Sequence, residues 1–194
     1  MLQDFMVSKV RVKLLKVFLY KPGEMYHVRG LVRATDEEIN AVRRELARME
    51  KRGMVKKEPR GNRLYYWFRQ DYPLYQDLLS MVAKNTGLGR KIIKNKTKLG
   101  RVKFVMFSGR FVRRLPPVEG GVDLLVVGEI VLPELAKLVR EEEAKLEREV
   151  NYTVMTKDEF EFRKKRRDPF VLSILGGSRV MVIGDEEELV SKVG

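Results

Sequence analysis

Between Ser8 and Gln70 the apolar residues change period once, from helical to alternating, and that single change limits the folds open to this stretch. Over residues 8–20, Val10, Leu14, Leu15, Val17 and Phe18 recur at helical spacing until Lys21-Pro22-Gly23 stops the helix. A shorter helical stretch is expected at about 26–34. His27 falls on it with no second ligand candidate nearby, so a structural or surface role is expected. Thr35-Asp36-Glu37-Glu38 has the form of a capping box, which starts a third helix near Asp36. That helix runs to Arg52 and stops at Gly53, the residue best suited to a left-handed helix end.

Ile39, Val42, Leu46 and Met49 form the expected buried stripe of the third helix, with Asn40, Arg43, Arg44, Ala47, Arg48 and Lys51 on the opposite side. Strands are expected over 54–60 and 63–70, joined by a Gly61-Asn62 turn, which makes a hairpin. Tyr65, Tyr66 and Trp67 alternate along its second strand, so one set faces the core; packing is expected over base stacking.

Charge is distributed unevenly. The net charge is +13, but residues 1–100 carry 23 Lys/Arg against 10 Asp/Glu while residues 101–194 carry 17 against 17. A basic half joined to a neutral half suggests a polyanion-binding module attached to a second one. With a helix sized for the major groove and a hairpin carrying Arg60 and Arg63, double-stranded DNA is the expected partner. The expected DNA-contacting residues are Asn40, Arg43, Arg44, Arg48, Lys51, Arg60, Asn62 and Arg63. Asp36, Glu37 and Glu38 crowd the start of the groove-facing helix and oppose phosphate unless that end points away.

The segments Val42-Arg43-Arg44-Glu45-Leu46, Met49-Glu50-Lys51-Arg52-Gly53-Met54-Val55 and Arg60-Gly61-Asn62-Arg63-Leu64-Tyr65-Tyr66 resemble the recognition helix and wing of bacterial and archaeal ArsR/MarR-type winged helix-turn-helix regulators. The likeness covers about residues 8–70. It implies a transcriptional regulator, binding as a homodimer where its site is two-fold symmetric.

Asp71-Tyr72-Pro73 ends the wing, and Leu74, Leu78, Leu79, Met81 and Val82 mark an amphipathic helix to about Ala83. Residues 84–98 mix glycine with lysine and read as a basic helix or bridge. Strand-like runs follow at 102–107, 122–127, 152–155 and 180–183, separated by helical patterns at 132–149, 157–166, 169–175 and 185–192. The expected organisation is a two-domain α+β or α/β chain: residues 1–72, a connector over 73–100, and an α/β domain with a mixed sheet over 101–194.

Asp123-Leu124-Leu125-Val126-Val127-Gly128, Arg148-Glu149-Val150-Asn151-Tyr152-Thr153, Asp158-Glu159-Phe160 and Val182-Ile183-Gly184-Asp185 resemble the small nucleotidyltransferase-like domain of the polymerase-β superfamily. The likeness covers about residues 100–190. In active members a Gly-Ser turn and a pair of aspartates hold Mg²⁺ against nucleotide phosphates. Here Phe107-Ser108-Gly109 reverses the turn, Arg113 replaces the loop glycine, and Gly120-Gly121-Val122-Asp123 leaves only Asp123 of the pair, with Glu149 or a nearby residue as the candidate additional group. The resemblance therefore implies a degenerate domain used for assembly or ligand sensing. Its residual site is Ser108, Gly109, Arg110 and Asp123, and Arg110, Arg113 and Arg114 are candidates for a nucleotide phosphate or, equally, for a surface or DNA-facing role.

No cofactor is expected; Mg²⁺ enters only with the alternative of an active nucleotidyltransferase addressed by its winged helix. A further alternative is an antitoxin-like member of a two-component pair. With no cysteine and one histidine, disulfides, thiolate metal sites and most histidine catalysis are excluded. The 35% charged residues lean toward a heat-adapted source. No apolar run reaches membrane-spanning length, and Met1-Leu2-Gln3-Asp4 lacks the layout of a secretory signal, so a cytoplasmic location without membrane contact is expected.

Overall fold

The computed structural model describes residues 8–191 as an α+β chain of ten helices and two sheets, one of them mixed. The first four residues and Lys192, on which two of the sequence expectations rest, lie outside the described residues. The chain separates into two compact units, Met1–Asn85 and Thr86–Gly194.

In the first unit, α1 (Lys9–Tyr20) is capped by the Ser8 hydroxyl, which accepts from the Arg11 amide. It packs against α2 (Val28–Thr35), α3 (Ile39–Lys51) and α4 (Tyr75–Asn85). Its buried stripe is Val12, Leu14, Leu15, Phe18 and Leu19, whereas Val10 and Val17 lie at the margin, half-buried. Leu31, Val42, Leu46, Met49, Tyr66 and Phe68 complete the core with Tyr75, Leu78, Leu79 and Val82 of α4. Leu74 precedes α4 and is exposed.

Two local expectations are corrected. Tyr26 and His27 form a short strand, β1 (Tyr26–His27), because β3 offers them an antiparallel partner: Tyr26 pairs with Tyr66 and His27 with Tyr65. The helix begins only at Val28, with His27 as its cap, Nδ1 accepting from the Gly30 amide at 2.9 Å. Thr35, the expected cap of α3, instead ends α2; it is buried and its hydroxyl donates to the Leu31 carbonyl at 2.7 Å. Asp36 then turns the chain in the left-handed region (φ 51°), so α3 starts three residues late, at Ile39 with Glu38 as its cap.

Gly53 takes φ 70° past the end of α3, which lets the chain reverse into β2 (Val55–Arg60). That strand pairs with β3 (Arg63–Phe68) from Val55↔Phe68 to Arg60↔Arg63. The sheet order is β1-β3-β2, with Tyr66 and Phe68 turned inward while Tyr65 and Trp67 are half-buried.

In the second unit, the basic segment after Asn85 is largely helical: α5 (Gly87–Lys94) buries Leu88 and Ile92. The sheet is formed by β4 (Gly100–Ser108), β5 (Leu124–Ile130), β6 (Tyr152–Met155) and β7 (Arg179–Ile183) in the order β6-β5-β4-β7. It is mixed, with β4 antiparallel to β5 and β7 and β6 parallel to β5. Between β4 and β5 comes a single turn of helix, α6 (Gly109–Val112), capped by the Ser108 hydroxyl and not expected from periodicity. The expected strand from 122 begins instead at Leu124, which leaves Asp123 just ahead of it.

Helix α7 (Leu132–Leu146) ends before 149 because Glu147 turns into the left-handed region (φ 54°). It packs with α5, and Lys91 Nζ bridges to Glu141 at 2.7 Å. Helices α8 (Lys157–Lys165), α9 (Pro169–Gly176) and α10 (Glu186–Val190) complete the unit. Phe160, Val171, Ile174 and Leu189 from these helices join Phe104, Met106, Leu125, Val127, Met155 and Met181 of the sheet in one core. Among the described residues no helix is long and apolar enough to cross a membrane.

Counted by unit, the charge surplus is shared. Met1–Asn85 carries 18 Lys/Arg against 10 Asp/Glu, and Thr86–Gly194 carries 22 against 17. Arg90, Lys91, Lys94, Lys96 and Lys98 belong to the second unit, so it is basic as well.

Candidate functional site

Helix α3 presents Asn40, Arg43, Arg44, Ala47, Arg48 and Lys51 to solvent along one face. The opposite stripe is Val42, Leu46 and Met49 with Glu45, while Ile39 is half-buried. Glu45, 2% exposed, is the polar member of that stripe. Its carboxylate accepts from the Ser8 hydroxyl at 3.0 Å and from Arg11 Nε, which ties α3 to the start of α1. Arg48 leans toward the same carboxylate, Nη1 to Oε2 3.5 Å. The spacing Val42, Glu45, Met49 contains this signal, because a residue three positions after a buried one shares its side of the helix.

Arg43, one turn before Ala47, faces the hairpin. Together with Asn62, Arg63 and Leu64 of the hairpin, His27, Val28 and Arg29 at the start of α2, and Tyr66, it lines a groove of about 590 Å³. Three arginines and no carboxylate line it. Of the eight residues expected from sequence, Arg43, Asn62 and Arg63 meet here; Asn40, Arg44, Arg48, Lys51 and Arg60 do not. Arg60 bridges to Glu58 at 3.1 Å and stacks over Tyr65. Arg29 and His27 were not expected, and sequence offers no local signal for them, since only the placement of α2 against the hairpin brings them in.

The acidic cluster ahead of α3 is engaged internally. Glu37 pairs with Lys13 at 2.6 Å, and Glu38 Oε2 accepts from the Asn40 and Ala41 amides at 2.7 and 2.9 Å. Those amides hold the Glu38 carboxyl below the ordinary glutamate range, with Arg44 and Arg43 acting in the same direction. A carboxyl depressed in this way stabilises the fold above its unfolded pKa of about 4.3 and loses that contribution as pH falls through the lower folded value. Glu38→Gln is expected to lower the melting temperature at neutral pH and to converge with the wild type in acid. Thermal melts from pH 7 to 3 check both effects.

In the second unit Ser108, Gly109, Arg110 and Asp123 line one pocket of about 300 Å³, together with the 117–122 loop and Ser173, Ile174, Gly177 and Ser178. The Ser108 amide donates to the Asp123 carbonyl at 2.9 Å and the Gly109 amide to the Ser178 carbonyl at 2.6 Å, which draws the three segments together. Gly109 has no room for a β-carbon against Ser178. Of the three candidate phosphate arginines only Arg110 lines the pocket. Arg113 Nη1 donates to Ser178 Oγ at 3.2 Å, and Arg114 stacks on Phe111 at 5.1 Å beside buried Glu142.

Asp123 is buried and already matched. One carboxylate oxygen lies 3.5 Å from Arg148 Nη2 and the other accepts from the Asn151 amide at 3.2 Å. Arg148 in turn stacks on the Phe111 ring at 5.4 Å. Glu149, the candidate additional metal ligand, is exposed and does not line the pocket. No group of three or more His, Asp or Glu able to hold a metal occurs among the described residues. A hard divalent cation needs several oxygen ligands, and the two carboxylates of the pocket lining, Glu119 and the Asp123 that pairs with a guanidinium, are a poor donor set for it. The residues present do not fit Mg²⁺.

No protein-family model matches the chain, and no match is found among curated proteins or among solved structures.

Proposed function

We propose that the chain is a DNA-binding transcriptional regulator. Its first unit acts as a winged helix-turn-helix that lays α3 in the major groove of duplex DNA and sets the β2–β3 hairpin on the flanking backbone. The observation that carries the proposal is the groove between α3 and the hairpin, lined by Arg29, Arg43 and Arg63 with Asn62 and His27 and by no carboxylate. Guanidinium groups bind phosphate and guanine edges through paired hydrogen bonds, and the first turn of α2 adds amides suited to an anion. Support also comes from the exposed polar face of α3 and from the internal use of Glu37 and Glu38, which relieves the repulsion their positions suggest.

The second unit, on this proposal, is a nucleotidyltransferase-like fold without the metal chemistry, serving assembly or ligand sensing. Arg148 beside Asp123 supports that part, because it neutralises the one aspartate left of the expected metal-binding pair. The corresponding setting is a cytoplasmic homodimer on a two-fold site.

Fluorescence anisotropy with a labelled duplex at rising salt tests the proposal. Saturable binding is expected, with log Kd climbing by about 0.9 per decade of salt for each phosphate contacted. Binding that is absent at low salt, or indifferent to salt, contradicts it.

A further inference from the structure

The second unit carries an exposed corner that its pocket does not use. Helix α8 segregates its charges: Asp158 and Glu159 stand in its first turn and Arg163, Lys164 and Lys165 in its last, and Arg166 and Arg167 extend the run to five consecutive cations before Asp168 caps α9. Two of the five are committed. Arg163 pairs with Glu159 at 2.8 Å, and Lys164 donates to the Leu189 carbonyl at 2.9 Å. Lys165, Arg166 and Arg167 are exposed and pair with no carboxylate among the described residues.

Beside them stands Phe162, 59% exposed, two positions from the buried Phe160 and hence on the outer face of α8. The Arg166 guanidinium lies 5.2 Å from its ring centre. Phe170, in the first turn of α9 just past the corner, is exposed as well. Phenylalanine does not serve solubility, and cations alone do not require an aromatic neighbour. A planar ring and a planar guanidinium held outward among unpaired cations match a ligand that alternates flat, stackable groups with negative charge.

We infer that the α8–α9 corner is a second nucleic-acid site, specific for single strands, in which a base stacks on Phe162 and the neighbouring phosphates meet Lys165, Arg166 and Arg167. The exposed rings favour this ligand over an acidic peptide: the surplus cations would draw any polyanion, whereas successive bases supply the flat faces that an acidic peptide lacks. Duplex DNA hides its bases and offers the corner phosphate alone. The site goes beyond the duplex interface proposed for the first unit and stands without it.

The test uses the full chain and two labelled probes, a 20-nucleotide oligothymidine and a duplex, titrated by anisotropy at low salt. Phe162→Ala is expected to weaken oligothymidine binding about 10- to 100-fold, the loss typical of one stacked base. Arg166→Ala with Arg167→Ala is expected to weaken it further and to flatten its salt dependence. Neither change is expected to alter duplex binding by more than about twofold, whereas Arg43→Ala with Arg63→Ala should spare the oligothymidine. All of these side chains are exposed, and circular dichroism verifies that the variants fold. Absence of oligothymidine binding by the wild type, or binding untouched by both corner variants, overturns the inference. So does a dimer that the corner variants split into monomers while oligothymidine binding is retained, because the corner is then a protein contact.

Discussion

Alanine at both Arg43 and Arg63 is expected to weaken duplex binding by about 30- to 1000-fold, the product of two contacts worth roughly 1–2 kcal/mol each. Both side chains line the groove between α3 and the hairpin, one from each element, and no carboxylate shares that groove with them. Removing both also removes two counterion-releasing contacts, so the slope of log Kd against log salt should fall by roughly 2. Arg48→Ala is the internal contrast. Its guanidinium leans on Glu45, and the smaller loss expected there separates groove arginines from the merely exposed arginines of α3. Equal losses at Arg43, Arg48 and Arg63 would mean that net charge alone drives binding.

Gly128→Ala is expected to destabilise the second unit by about 3 kcal/mol and to leave the first unit intact. Gly128 sits in β5 opposite Val102 of β4, where the pairing shifts register before Phe104. Its φ of 147° suits glycine, and a β-carbon there would run into the backbone carbonyl of Arg101. The bulge would have to open, and β4 and β5 are the central strands of the sheet. Hydrogen exchange distinguishes the outcomes: protection should fall across β4–β7 and persist in α1–α4. A variant that melts like the wild type would show that the β4–β5 bulge does not constrain the unit. Because the first unit should survive, the same variant reports whether duplex binding needs the second.

Much of this architecture was legible because the local signals agreed with one another. In α3 the apolar spacing, the exposed arginines and the terminal Gly53 all pointed to one helix, and the Gly61-Asn62 turn placed the hairpin. The misreadings came where a tertiary partner outweighed a local pattern. Thr35 has the chemistry of a cap, but α2 extends through it, and Asp36 bends the chain instead. Tyr26 and His27 fit a helical period, yet β3 recruits them as a strand.

The candidate sites divided in the same way. Arg43 and Arg63 were legible as exposed cations on the right elements, whereas Arg29 joins them only because α2 is folded against the hairpin. Asp123 stood out in the sequence, but Arg148, 25 positions later, gave no sign that it would neutralise it. The helical pattern over 157–166 was legible, but nothing in it singled out Phe162 or the five cations after it, because their exposure depends on which face of α8 the core takes.

The central claim, that the first unit grips duplex DNA between α3 and its hairpin, is tested most directly by genomic footprinting of the tagged protein beside its Arg43→Ala, Arg63→Ala variant. Discrete protected sites with two-fold related halves about one helical turn apart, lost in the variant, are the expected result. No protected site for the wild type, or the same sites for the variant, would contradict it.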